Sequence, residues 1–312
     1  MSAIAIKNLC KVFKGRTGKL VALDNVTTSV PAGALCALLG KNGAGKSTLI
    51  KCAAGIYIPD AGTIEVDGTN ILRNKKAQVS NISVLLDGGR NLFRYMTVEE
   101  NIRYFTLIKG TSRNISNMKE LKAKAIEALD VGNYLNKTID RLSYGIAQRV
   151  AITVAIACAS PIIILDEPTK GLDFVMTREL SSLLKEIKDM WGSTVILSSH
   201  DLAFVESLSD YIILINNGAL IKEGTLDEFK SMLDFNSHTI TVDCELTTSQ
   251  VESLKMLNSF TGIGARNSQF HIHLRYDEDI VAELLRIKDL LGLRITSVTS
   301  DDRLSSIVEC VN

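Results

Sequence analysis

Gly40-Lys41-Asn42-Gly43-Ala44-Gly45-Lys46-Ser47 lies between a short apolar run, Ala34 to Leu39, and a helix-like run, Thr48 to Ala54. Strand, glycine loop and helix in that order make a phosphate-binding P-loop. Gly40, Gly43 and Gly45 let the backbone bend tightly with several N–H groups pointing inward, and the new helix presents its positive dipole end to the same point. A dense anion such as a triphosphate fits there, with Asn42 and Thr48 in the same binding segment. Lys46 reaches the β- and γ-phosphates as a compact charge, and the Ser47 hydroxyl takes one coordination position on Mg²⁺. A glycine turn in a Lys-containing loop is the alternative reading of the bare pattern; the flanking strand and helix weigh against it.

Two apolar runs further along the chain narrow the reading. Pro161-Ile162-Ile163-Ile164-Leu165-Asp166-Glu167-Pro168 is a buried-strand run that stops at two adjacent carboxylates, a Walker B segment with a second acid attached. Asp166, at the strand end, is suited to hold Mg²⁺ through water, and Glu167, one residue further out, can face an attacking water as general base. A strand ending in solvated acids is the bland reading of this segment taken alone. Thr194-Val195-Ile196-Leu197-Ser198-Ser199-His200 is again an apolar strand with a His at its tip. In isolation His200 reads as a structural histidine, whereas in this series it reads as a γ-phosphate sensor that orients Glu167 and the water.

Between these elements lies Leu142-Ser143-Tyr144-Gly145-Ile146-Ala147-Gln148-Arg149. With this segment the chain resembles the nucleotide-binding subunit of an ATP-binding cassette (ABC) transporter, in which the equivalent stretch reads LSGGQ. The resemblance implies that Ser143 and Gly145 clamp the γ-phosphate of an ATP held on the opposite subunit; Tyr144 replaces the first Gly and Ile146 the Gln. Gly171-Leu172-Asp173 resembles the family's D-loop, and Phe13 sits where an aromatic residue stacks on adenine. Without the family, Phe13 reads equally well as a packing residue of the N-terminal hairpin. Ile82 to Leu86 matches the strand leading to the family's Q-loop, with Asp87 where a metal-side Gln is expected. The run Leu86-Asp87-Gly88-Gly89-Arg90-Asn91-Leu92 looks like an exporter branch in which an acid replaces that Gln.

The resemblance implies an ATPase using ATP and Mg²⁺, catalysed by Glu167, His200 and Lys46, with Ser47, Asp87 and Asp166 on the metal. Its expected partners are a second ABC ATPase subunit, most simply a second copy in a homodimer, and a membrane permease on a separate chain. Its expected place is the cytoplasmic side, peripheral on the inner face of the cell membrane, and its expected direction is export. Two other classes remain: a soluble ABC ATPase acting on nucleic acid or protein complexes, and a regulatory module that binds ATP but turns over poorly. The first usually carries two cassettes or a long coiled-coil insert, and neither is seen; intact Glu167 and His200 count against the second. Arg90 to Phe105 concentrates Phe93, Arg94, Tyr95, Tyr104 and Phe105, residues that serve either as core of the helical insert or as interface anchors for the permease.

Composition agrees. The chain has 312 residues, enough for one large and one small core, and 35 basic against 35 acidic side chains, which argues against a nucleic-acid binder with a broad basic surface. Residues 232–312 carry seven Lys and Arg against twelve Asp and Glu, so the first 231 carry 28 against 23. No stretch reads as a membrane span or signal peptide. The six cysteines are scattered without metal-ligand spacing.

The expected architecture is α/β: a P-loop NTPase sheet with an antiparallel edge sheet and a helical subdomain over residues 1–230, the insert running from about 97 to 148. Gly62 to Gly68 alternates as an edge strand, Lys119 to Leu129 has a helical period, and Leu180, Leu183, Leu184 and Ile187 form one helical stripe before Trp191-Gly192. Residues 236–312 read as a small α+β domain, ferredoxin-like in outline: strand Thr239–Cys244, helix Ser249–Phe260, strand Phe270–Leu274, helix Asp279–Leu291 and strand Arg294–Val298. His271 and His273, two apart on one strand, read as a solvated face rather than a metal pair because no third ligand is evident. The tail, Arg303 to Val311, resembles the closing helix of many exporter ATPases.

Overall fold

The computed structural model describes residues 2–15, 18–74, 81–86, 92–109, 115–231, 236–242, 246–257, 260–266, 269–276, 287–288 and 295–300. The chain divides into two compact units, Met1–Leu226 and Asp227–Asn312, the division falling a few residues ahead of the expected 230.

In the first unit, β1 (Ser2–Gly15), β2 (Gly18–Pro31), β4 (Ala61–Val66) and β5 (Thr69–Asn70) form an antiparallel sheet in the order β2-β1-β4-β5. A second sheet contains β3 (Leu35–Leu39), β6 (Ile82–Leu85), β7 (Ile162–Asp166), β8 (Thr194–Ser198), β9 (Tyr211–Asn216) and β10 (Ala219–Thr225), ordered β10-β9-β3-β8-β7-β6. All its pairs are parallel except β10 with β9. Every residue of β3, β7 and β8 is buried, which is why these strands read as continuous apolar runs rather than alternating ones. Their carboxyl ends lie side by side, so the P-loop after β3, the acids of β7 and the histidine beyond β8 converge on one edge.

Helix α1 (Lys46–Ala53) starts directly from the P-loop, and its Leu49 and Ile50 join a core with Ile4, Ile6, Leu38 and Ile164. The insert holds α2 (Val98–Ile108), α3 (Ile115–Ala128) and the start of α4 (Tyr144–Ala157). Thr97 and Glu100 close a reciprocal capping box at the start of α2. In α5 (Phe174–Trp191) the stripe Leu180, Leu183, Leu184 and Ile187 is buried, each side chain contributing about 1.5–3 kcal/mol. Gly192 ends the helix at φ 62, its N–H bonding the Lys188 carbonyl. A short α6 (Leu202–Leu208) follows β8, and α7 (Leu226–Ser231) spans the division between the units.

The second unit contains β11 (Asn236–Val242), α8 (Thr248–Lys255), β12 (Phe260–Arg266), β13 (Gln269–Tyr276) and β14 (Ile295–Ser300). All pairs are antiparallel, in the order β12-β13-β11-β14. Ile240, Val242, Leu254, Ile272, Leu274 and Ile287 form its core. One element departs from expectation: α8 stops at Lys255, and Phe260, expected at the helix end, opens strand β12. Gly262 and Gly264 remove two side chains from that strand, so no alternation marks it in the sequence. Of the expected helix Asp279–Leu291 only Ile287 and Lys288 are described, and both are helical; the tail from Arg303 lies outside the described residues.

Candidate functional site

Gly40 and Gly45 of the P-loop are required by space as well as by φ, Gly43 by its φ of 84 alone. Gly40 has φ 151, and a Cβ there would stand 2.2 Å from the Ile215 carbonyl oxygen; Gly45, at φ 107, would set one 2.6 Å from that of Ala22. The loop is braced from outside, since the Gly218 N–H bonds the Ala44 carbonyl at 2.9 Å. Lys46 is buried, and its Nζ donates to the carbonyls of Gly40 (2.6 Å) and Lys41 (3.1 Å). Burial holds its pKa below the ordinary lysine value, and the nearby carboxylates of Glu167 and Asp166 pull it partly back. The ammonium is thus held inside the loop by two backbone carbonyls, with the carboxylates of Glu167 and Asp166 nearby.

At the end of β7 the two acids point to different tasks. Asp166 is buried, and its Oδ1 accepts from Ser198 Oγ at 2.6 Å and from Ser47 Oγ at 3.2 Å. Glu167 takes φ 50, a region non-glycine residues other than Asn and Asp occupy seldom; of the described residues outside those types, Ala159 alone shares it. Its N–H donates to Ser198 Oγ (3.0 Å) and to the Ser198 carbonyl (3.2 Å), and its own carbonyl accepts from the Lys170 N–H at 3.2 Å. The Glu167 carboxylate meets His200 Nδ1 at 2.7 Å, with the imidazole largely exposed. Gln148, buried in α4, reaches the carbonyls of Glu167 and Pro168, both at 3.4 Å. Ser198 and Gln148 were not singled out by the sequence; only the general rule that a buried polar side chain needs a partner points to them.

An open cleft of about 540 Å³ is lined by Lys46, Ser47, Glu167 and His200. Phe13, Leu20 and Val21 share its wall with Asn42, Gly43, Gly45 and Thr48 of the P-loop segment. Phe13 stands edge-on to Tyr57, ring centroids 5.5 Å apart, with Lys11 Nζ 5.6 Å from its ring. Its strand is fixed by Asp60, whose carboxylate accepts the Val12 N–H at 2.7 Å, and this bond holds the Asp60 pKa low. The contact with Tyr57 and the place in the cleft wall coexist, so the packing reading and the platform reading of Phe13 are compatible.

Three of the expected binding residues, Gly40, Ser143 and Gly145, do not line this cleft. Ser143 caps α4, its Oγ accepting the Ile146 N–H at 3.4 Å. A Cβ on Gly145 would lie 2.7 Å from the Gly171 carbonyl oxygen, and one on Gly171 would lie 2.6 Å from the Tyr144 ring. The signature-like turn and the D-loop-like turn are thus in direct contact. Asp87 lies outside the described residues.

The aromatic cluster resolves into two populations. Phe93, Tyr104 and Phe105 pack on one another at centroid distances of 4.8 to 5.8 Å while Phe93 and Tyr104 keep one flank exposed, and Tyr95 makes none of these ring contacts and is 86% exposed with Arg94 exposed beside it. The turn carrying them is tied to α2 by Asn101, which is fully buried. Asn101 Nδ2 donates to the carbonyls of Phe93, Met96 and Thr97, and its Oδ1 accepts the Phe93 N–H at 2.8 Å.

Among the described residues no helix is long and apolar enough to cross a membrane, and no group of three or more His, Cys, Asp or Glu could hold a metal ion. Residues 23–170 match the family model described as ABC transporter. The chain is 30% identical over 256 residues to the energy-coupling factor transporter ATP-binding protein EcfA1 of Methanospirillum hungatei, covering 82% of this chain and 90% of that protein. It is 36% identical over 235 residues to the methionine import ATP-binding protein MetN of Mannheimia succiniciproducens, covering 73% of this chain but 66% of MetN. A dimeric ATP-binding cassette in a post-hydrolysis state, bound to ADP and Pi, superposes with a TM-score of 0.63 at 27% identity over 72% of this chain and 98% of that one.

Proposed function

This chain belongs to the ABC transporter family of ATP-binding proteins, and from that premise we propose that it binds and hydrolyses ATP to power a membrane permease carried on a separate chain. The observation that carries the reading is one cleft lined by Lys46, Ser47, Glu167 and His200, with the buried Asp166 bonded to Ser47 Oγ behind them. Lys46 exchanges its loop carbonyls for the β- and γ-phosphates, and the inward N–H groups of the P-loop share that charge. Ser47 Oγ and Asp166 Oδ1, hard oxygens 3.2 Å apart, suit Mg²⁺. When bound, Mg²⁺ neutralises charge on the phosphate oxygens. Glu167 accepts the proton of the attacking water, and His200 keeps the carboxylate aimed while offering its other ring nitrogen toward the phosphate. Phe13 stacks on the base.

The dimeric cassette bound to ADP and Pi supports a working unit of two subunits, in which Ser143 and Gly145 of each face the partner's nucleotide. The exposed Arg94–Tyr95 turn is the surface offered to the permease, and attachment through it makes the chain peripheral on the inner membrane face. On direction the comparisons run against the export expected from Leu86 to Leu92, because relatives whose names state a direction are methionine import proteins. Asp87 is assigned to the metal side by sequence position alone.

Phosphate release from ATP by the purified chain, with and without Mg²⁺, tests the core of this reading. Magnesium-dependent turnover that a co-expressed permease stimulates supports it. Tight ATP binding with no turnover in either setting would establish the regulatory module instead.

A further inference from the structure

Strand β8 is apolar from Val195 to Leu197 and then ends on a serine that is fully buried, so its hydroxyl needs a partner inside the protein. Ser198 pairs in register with Leu38 on one side and with Asp166 on the other, so its hydroxyl is held between the P-loop strand and the acidic strand. A hydroxyl has one proton to give. The acceptor at 2.6 Å, Asp166 Oδ1, takes it, and a lone pair then receives the Glu167 N–H at 3.0 Å. The bonds run in one sense, from the Glu167 amide through Ser198 to the Asp166 carboxylate, where Ser47 Oγ also donates.

We propose that Ser198 is a positioning residue for the hydrolysis described above, fixing the metal-side carboxylate and the general base at once from a strand that neither belongs to. The proposal rests on the ATPase reading. Its first half concerns Asp166: with the Ser198 hydroxyl donating to Oδ1, the carboxylate cannot rotate freely about its side-chain bond and stays turned toward Ser47. Its second half concerns Glu167. A residue at φ 50 keeps that backbone only if its surroundings hold it there, and Ser198 supplies both acceptors for its N–H, one from the side chain and one from the carbonyl. Two residues further along the same chain end, His200 holds the opposite end of Glu167 through Oε2. The base is pinned at amide and carboxylate by one strand terminus, which makes its aim insensitive to movements elsewhere in the sheet. Outer partners of this kind change metal affinity or activity by about 10- to 100-fold when removed.

The test uses the full chain with Ser198→Ala and Ser198→Thr, each checked for folding by circular dichroism and thermal melting. Two quantities are read: kcat and KM for ATP, and the Mg²⁺ concentration giving half-maximal binding of a fluorescent ATP analogue, which needs no turnover. Ser198→Ala is expected to lower kcat about tenfold or more with KM within about twofold, and to raise the Mg²⁺ midpoint severalfold. Ser198→Thr, which keeps the hydroxyl, restores both. An unchanged kcat and Mg²⁺ midpoint in a folded Ser198→Ala overturns the proposal. So does a parallel fall in kcat, nucleotide affinity and melting temperature at an unchanged Mg²⁺ midpoint, which marks packing alone. Failure of the ATPase reading looks different: the unaltered chain binds ATP without hydrolysing it, and the Mg²⁺ midpoint still reports on the link from Ser198 to Asp166.

Discussion

Glu167→Gln isolates the base from everything that positions it. Gln has the same shape, its amide oxygen can take the bond from His200 Nδ1, and the backbone anchors from Ser198, Lys170 and Gln148 are untouched. The P-loop and Lys46 do not depend on the carboxylate for their own bonds, so ATP affinity should stay within about threefold of the original. The ability to accept a proton disappears, and a positioned base contributes about 10²–10⁴ in rate, which is about 3–5 kcal/mol of barrier. Single-turnover hydrolysis of radiolabelled ATP measures this directly, separate from product release. The same variant should accumulate as an ATP-bound dimer in gel filtration, because the step that separates the subunits no longer occurs. Turnover within tenfold of the original would refute the reasoning and move the proton acceptor to His200.

Lys46→Ala should fail one step earlier, weakening ATP by about tenfold or more because a charge-assisted contact of about 1.5–3 kcal/mol is lost; equilibrium binding of a fluorescent ATP analogue checks it, and unaltered affinity would exclude the P-loop role. Phe13→Ala should weaken nucleotide binding roughly tenfold, the scale of about 1–2 kcal/mol for stacking a base on an aromatic ring, with Phe13→Trp close to normal; equal affinity in all three proteins, read by fluorescence anisotropy, would leave Phe13 as a partner of Tyr57 only. Arg94→Glu combined with Tyr95→Ala should abolish permease binding or coupling and leave the ATPase activity of the isolated chain within twofold, since neither side chain is near the cleft. Full transport by a co-purified complex carrying both changes would place the coupling surface elsewhere.

The parts of the fold that were legible were those where one physical rule acts alone. The order of strand, glycine loop and helix, the two buried strands with polar tips, and the Leu180 to Ile187 stripe each carry a period or a composition that is written in consecutive residues. The residues that escaped break the expected pattern for a reason only three dimensions supply. Ser198 sits at the end of an apolar strand where a small polar residue reads as a strand terminus, and Gln148 and Asn101 are polar side chains on helices that sequence rules send to solvent. Ser198 and Gln148 are buried where they satisfy groups arriving from another part of the chain, and Asn101 where it satisfies the turn that leads into its own helix. Strand β12 was lost for the opposite reason, since Gly262 and Gly264 leave the alternation nothing to show. The division of the aromatic cluster into a packed trio and an exposed Tyr95 needed the folded arrangement, because both populations are written in the same residue types.

The four bonds of Asn101 bear on the thermodynamics of recognition. A protruding turn normally loses backbone freedom when a partner seats on it, and that loss is subtracted from the affinity. Here the turn from Phe93 to Thr97 is already tied to the first coil of α2 by one buried amide, so the ordering has been completed during folding. If the permease seats at Tyr95 as proposed, this side of the contact brings a turn that is already ordered: the expected signature is a negative heat-capacity change in proportion to the apolar area covered, without the enthalpy and entropy terms of this turn folding as it binds.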